Sequence, residues 1–232
     1  MNLSDSDLKT LEARGITPEE LQTQVDRFVT GFPYLKIYDS ARPGEGITVL
    51  SDDDETRAVE RWNGFLADGG RVCKFVPASG AASRMFKSLF AFVDGDSAHP
   101  AEGSDVARLL KDIHKVAFFN ELDAAVLRLH NKDVDTLLSE GRDKDVVAAI
   151  ISSDGLNYGN LPKGLLTFHH AGDGTRTPVE EQLMEGAQSA RQADGTVNMH
   201  LTVSGSHREA FAGKLAEVKP RIEKEMGVKI NV

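Results

Sequence analysis

The sequence predicts an α/β protein: a mainly parallel, Rossmann-like sheet with N-terminal helices and a helical insertion. Three observations point that way. The apolar run 72–76 reads as a buried strand, breaks at Pro77 into very small residues, and is followed by an amphipathic run over 84–92. The block 106–151 is helical in pattern, with few glycines and no strand. After it, strand-like and helix-like runs alternate to the end of the chain. The order strand, helical insertion, strand, helix, strand, helix, strand favours right-handed crossovers and parallel pairing. These patterns place a helical and extended lobe at 1–70 and an α/β domain at 71–232, with the insertion at about 95–155.

Taken in order, residues 4–32 read as two helices. Ser4 and Ser6 can cap the first. Thr17-Pro18-Glu19-Glu20 is a capping box that opens the second, and Leu21, Val25, Phe28 and Val29 then share one face. Gly31 stops that helix. Short apolar pieces at 35–37 and 47–50 flank Pro43-Gly44-Glu45-Gly46, which predicts two short strands or extended segments about a turn. Ser51 caps an acidic first turn at 52–55, a solvated helix start rather than a metal site, because acids suit the positive helix end. That helix should carry Val59, Trp62, Phe65 and Leu66 inward and end at Gly69-Gly70.

Beyond the central strand, 94–105 is polar and reads as a loop. Helices are expected near 104–118, 121–130, 133–141 and 143–151, separated by Asn120, Asn131 and Gly141. His114 and His130 sit on helical faces among leucines and read as satisfied helix histidines. A strand-like run at 165–168 follows Pro162-Lys163, and a polar loop at 170–176 follows that run. Thr177-Pro178-Val179-Glu180 opens another helix, to about Arg191. Residues 197–203 alternate like a strand, Ser204 caps a long helix carrying Phe211, Leu215, Val218 and Ile222, and 228–232 is a final strand, the fourth of the sheet.

Composition narrows the function. With 232 residues and a formal charge of -9, the chain can bury a large core but lacks the basic footprint that general nucleic-acid binding needs. No apolar segment approaches the roughly 20 residues of a membrane span, and no signal pattern opens the chain, so a cytoplasmic protein is expected. The single cysteine, Cys73, lies in the predicted central strand and is expected to be a buried, inert thiol. Oligomeric state is not legible.

The chemistry concentrates at Ala78, Ser79, Gly80, Ala81, Ala82 and Ser83. Small residues between a strand and a helix start let an anion approach unpaired amides at the positive end of a dipole. Arg84 adds a fixed cationic fork, and Lys163, held by Pro162, is a well-placed point charge for a phosphate. An ordinary strand-to-helix turn and a solvated lysine remain the plainer alternatives. In a parallel sheet this loop lies at the carboxyl edge, where ligands bind. His169-His170 and Ser204-Gly205-Ser206-His207 follow predicted strands and should share that edge, although the two histidines lack a third metal ligand.

Residues 76–85 resemble the opening signature of sugar nucleotidyltransferases, where a strand leads into a glycine-rich loop ending in Thr-Arg-Met or similar and a Pro-Lys turn follows. The resemblance implies a nucleotide-diphospho-sugar transferase-like fold in which the 78–83 loop holds a nucleoside triphosphate or nucleotide sugar. It likewise implies a catalytic role for Arg84, phosphate binding by Lys163, and magnesium as cofactor. The same stretches, with 199–204, are more similar to an uncharacterised bacterial group, the domain of unknown function 4301 family, over nearly the whole chain. Two departures stand out: Ala82 replaces the second loop glycine, and a helical block separates Arg84 from Lys163. Members of that group run on past Val232, which implies a chain truncated at its carboxyl end, with the metal carboxylates of the transferases not identifiable. A non-catalytic phosphate or nucleotide-binding module is the alternative. An interaction module is another, which would require a large exposed apolar patch on the helical block.

Overall fold

The computed structural model describes residues 2–78, 80, 82 and 84–232. The chain divides into two compact units, Met1–Arg57 and Ala58–Val232. In the first, helix α1 (Asp5–Ala13) opens on Ser4, whose hydroxyl accepts from the Asp7 N–H while the Asp7 carboxylate accepts from the Ser4 N–H. Helix α2 (Pro18–Thr30) opens on the reciprocal pair Thr17 and Glu20, as the capping box predicts. Neither helix buries a residue, and Phe28 is 90% exposed. Strands β1 (Arg42–Pro43) and β2 (Gly46–Ile47) are the arms of a tight turn, in which Arg42 and Glu45 exchange both backbone hydrogen bonds at 2.8 Å. Gly44 and Gly46 take φ of +84° and +86°, which favours glycine. Residues 35–37 form no strand, because no neighbouring backbone pairs with them.

Helix α3 (Asp52–Ala67) opens on Ser51, bonded reciprocally to Asp54. The Ser51 hydroxyl, donating to the Asp54 carboxylate at 2.6 Å, holds that carboxyl below its usual range. Its apolar residues do not enter a core. Val59, Trp62 and Phe65 stay exposed; Trp62 and Phe65 pack on each other at 6.3 Å. The chain folds back over Phe65 at Gly70, where a Cβ would stand 2.5 Å from the ring.

In the second unit, β3 (Cys73–Pro77) leads into the small-residue loop. The expected helix start at Arg84 is instead a turn closed by Met85 N–H on the Ala82 carbonyl at 2.8 Å, and helix α4 (Lys87–Asp94) begins three residues later. Helices α5 (Asp105–Lys111), α6 (Phe119–His130), α7 (Val134–Ser139) and α8 (Asp143–Ile151) follow, with a 3-10 turn at Ile113–Lys115. Asn120 lies inside α6 rather than separating two helices, while Asn131 ends α6 in the left-handed conformation. Helix α8 packs against α4, α6 and α7 and buries Val146, Val147, Ala149, Ile150 and Ile151, so it is apolar nearly all round, as a helix at the centre of a bundle must be.

The run 165–168 is not a sheet strand. Lys163–Leu165 is a 3-10 turn, and the backbone that pairs next is a hairpin of β4 (His169–Ala171) and β5 (Gly174–Arg176). Leu165 packs with the sheet core and Leu166, fully buried, with the helical core, while among the described strands none pairs with this backbone. Helix α9 (Pro178–Ser189), strand β6 (Thr196–Thr202), a 3-10 turn at Gly205–His207, helix α10 (Arg208–Met226) and strand β7 (Lys229–Asn231) complete the chain. The sheet has three strands in the order β3-β6-β7, all parallel, so β7 is its third strand and not its fourth. A mixed α/β architecture with a small parallel sheet is therefore what the chain forms.

Helices α9 and α10 cover one face of that sheet, burying Val76, Val197, Met199 and Ile230. The Glu180 carboxylate, buried at the start of α9, receives the Thr177 N–H at 2.8 Å and the Arg221 guanidinium of α10 at 2.6 Å, joining the two helices. Alternate residues of β3 point the other way. Cys73 is exposed, and Phe75 is 63% exposed with its ring stacked on His200 at 5.2 Å. The expectation of a buried thiol fails because β3 is an edge strand covered on one face only.

Candidate functional site

The loop after β3 bridges the two cores. Ala78 is buried in the sheet core and Ala82, 1% exposed, in the helical core. The methyl of Ala82 is thus spent on packing. Gly80, between them, is exposed, and a Cβ there would meet no described atom within 4 Å. The expectations for Ser79, Ala81 and Ser83 lie outside the described residues.

Two other segments reach this loop. The Lys163 N–H donates to the Gly80 carbonyl at 3.1 Å, which lays the Pro162-Lys163 turn on the loop across the whole helical insertion. Pro162 and Gly164 are buried while Lys163 is exposed. Gly164 is tight against Phe211 of α10, since a Cβ would stand 2.8 Å from that ring. Arg84, in the turn before α4, is also exposed. Among the described residues, neither the Arg84 nor the Lys163 side chain has a hydrogen-bond or ion-pair partner. The Ala78 N–H donates to Thr202 at the end of β6 at 3.0 Å, so the residues that follow β6 lie beside the loop.

Those residues hold an arrangement that patterning read only as a helix cap. Ser204 stands at the cap position, yet its hydroxyl makes no capping bond to the backbone. It lies 2.8 Å from His207 Nδ1 and 3.2 Å from the Ser206 hydroxyl. His207 Nε2 in turn lies 3.2 Å from the Asn160 carbonyl, three residues before Lys163. The three-residue spacing of Ser204 and His207 is visible in the sequence, but the carbonyl that orients the ring comes from a distant segment.

The other histidines make their own contacts. His170, on the β4–β5 hairpin, faces the Lys115 carbonyl through Nε2 at 3.0 Å, and His169 approaches Glu181 at 3.9 Å. His114 contacts Asp135 at 2.8 Å, and His130 accepts from Arg142 at 3.2 Å. Next to Met85, a cleft of about 300 Å³ is lined by Lys115, Phe118, Phe168 and His170. Under it Tyr158 accepts the Thr167 N–H at 3.1 Å and donates toward Glu121 at 3.4 Å, and burial pushes its hydroxyl up to about 12. A second cavity, of about 350 Å³, lies before the amino ends of β3 and β6, around Arg71, Asp194 and Asn198, and contains none of the predicted site residues.

Among the described residues no group of three or more His, Cys, Asp or Glu side chains could hold a metal ion. Among the described residues no helix is long and apolar enough to cross a membrane. In the helical block, the exposed large apolar side chains among the described residues are Leu127 and Leu129, too little for the patch an interaction module requires.

A family model described as Domain of unknown function (DUF4301) matches residues 4–232. No curated protein and no solved structure matches the chain.

Proposed function

The chain belongs to the domain of unknown function 4301 family, and from that premise we propose that the edge around Gly80 binds the phosphates of a nucleoside triphosphate or nucleotide sugar, in a nucleotidyltransferase-like manner. The observation that carries this reading is the 3.1 Å hydrogen bond from Lys163 N–H to the Gly80 carbonyl, which brings a rigid cationic turn onto a loop of very small residues. The exposed and unpaired state of Arg84 and Lys163, among the described residues, supports it further. Amides of the loop around Gly80, beyond the Ala78 N–H that Thr202 already holds, cradle the phosphate, Lys163 binds it, and Arg84 neutralises charge that develops as a sugar-phosphate oxygen attacks the α-phosphorus and pyrophosphate leaves. Any magnesium arrives with the nucleotide, held by phosphate oxygens and water.

Calorimetric titration with each of the four nucleoside triphosphates, magnesium present, tests the reading. We expect binding by at least one, weakened about tenfold or more by Arg84→Ala or Lys163→Ala, the loss of one charge-assisted contact. Absence of heat with all four at millimolar ligand overturns it. Binding without catalysis is the second outcome of the test, and because α4 begins only at Lys87 a turn separates the loop from the helix dipole, which leaves the charge on the phosphate to Arg84 and Lys163. If Arg84→Ala lowers affinity and the wild-type protein releases no pyrophosphate with any sugar phosphate, the protein is a binding module.

A further inference from the structure

We infer that Ser204 is a nucleophile and His207 its general base. The Asn160 carbonyl can only accept, so the 3.2 Å contact requires His207 Nε2 to carry the ring proton. Nδ1 is then an acceptor with a free lone pair, and the Ser204 hydroxyl, 2.8 Å away, must donate to it. This is the arrangement that activates a serine: hydroxyl on an imidazole nitrogen, and the imidazole held in the right tautomer by a third group. A hydroxyl serving only to cap a helix would accept a backbone N–H, and this one makes no such bond. Ser204 and His207 are half-buried, so the pair is both positioned and reachable.

Its place in the fold suggests what it takes. Ser204 follows the strand end that binds Ala78, and Asn160 leads into the Pro162-Lys163 turn, so the pair borders the proposed phosphate edge. The substrate class is an activated phosphoryl donor, and that part of the inference rests on the proposed function. Ser204 Oγ attacks phosphorus; the Oγ–P bond forms as the P–O bond to the leaving group breaks, the leaving group keeping the electron pair. The hydroxyl proton passes to His207 Nδ1 and from there to the leaving group. Neutral His207 then deprotonates a water molecule that cleaves the phosphoserine, returning the serine and releasing phosphate.

Diisopropyl fluorophosphate tests the pair without using the phosphate edge, because the reagent is uncharged. Serine oxygen displaces fluoride, and His207 takes the proton. Intact mass and peptide mapping of the wild-type protein should show one adduct, on Ser204. Ser204→Ala should abolish it, Ser206→Ala should keep it, and His207→Gln should slow it by about 100-fold, the loss of one general base. No adduct, an adduct on another residue, or a rate indifferent to His207→Gln overturns the inference. Should His207→Gln fail to fold, the location of the wild-type adduct decides alone. Triphosphate binding without labelling overturns the serine pair alone. Labelling of Ser204 without triphosphate binding overturns the phosphate edge and the phosphoryl donor, and leaves the activated serine standing.

Discussion

The two cores of the second unit are built on different terms. The helical core is enclosed: Leu122, Val126, Leu137 and Ile150 are fully buried, and α8 meets protein on nearly every side. The sheet core is one-sided. Helices α9 and α10 cover the face bearing Val76, Met199 and Ile230, while Cys73 and Phe75 stand exposed on the other. The candidate site lies where the chain passes from one core to the other, and it does so twice. Ala78 and Leu165 belong to the sheet core, Ala82 and Leu166 to the helical core. Apolar anchors on both sides fix the backbone of the loop and the turn. Arg84 and Lys163 are exposed at this seam, and Ser204 is half-buried with its hydroxyl 2.8 Å from His207 Nδ1.

The same truncation in the two regions separates them most sharply. Leu122→Ala removes a fully buried leucine and should cost about 3–4 kcal/mol in urea unfolding, the transfer and cavity terms together. Phe75→Ala removes a larger ring from the open face and should cost less than about 1 kcal/mol, the stacking on His200 being all it loses. Similar costs for the two would mean that the far face of the sheet is covered. At the seam, Gly164→Ala should fall between, at about 1–3 kcal/mol, because the new methyl meets the Phe211 ring at 2.8 Å. If that ring turns aside at no cost, the turn is not held by the sheet core, and triphosphate affinity should be unaffected as well.

Much of this was legible in the sequence, and the failures share a cause. Capping boxes at Thr17 and Thr177 form as expected, and the runs 72–76 and 197–203 form strands at 73–77 and 196–202, whereas the helix expected near 104–118 ends at Lys111 and gives way to a 3-10 turn. Residues 165–168 were misread because a short apolar run marks a buried segment without saying that a neighbouring strand pairs with it, and among the described strands none does. Cys73 and Trp62 were expected inside because apolar character alone does not say which face of an element is covered. At the site, the small loop and Lys163 could be named from the sequence, yet their approach depends on a backbone bond between distant segments. The orientation of His207 by the Asn160 carbonyl has no sequence signature, since any residue supplies a carbonyl.

The central claim is that the loop backbone itself receives phosphate, and Gly80→Val tests it most directly. A Cβ at Gly80 meets no described atom within 4 Å, so the variant should fold with stability within about 0.5 kcal/mol of wild type. A branched side chain at that point would nevertheless hold a phosphate away from the amides. Titration of the variant with the nucleoside triphosphate that wild type binds best should show affinity reduced at least tenfold. Unchanged affinity in the folded variant would contradict the account.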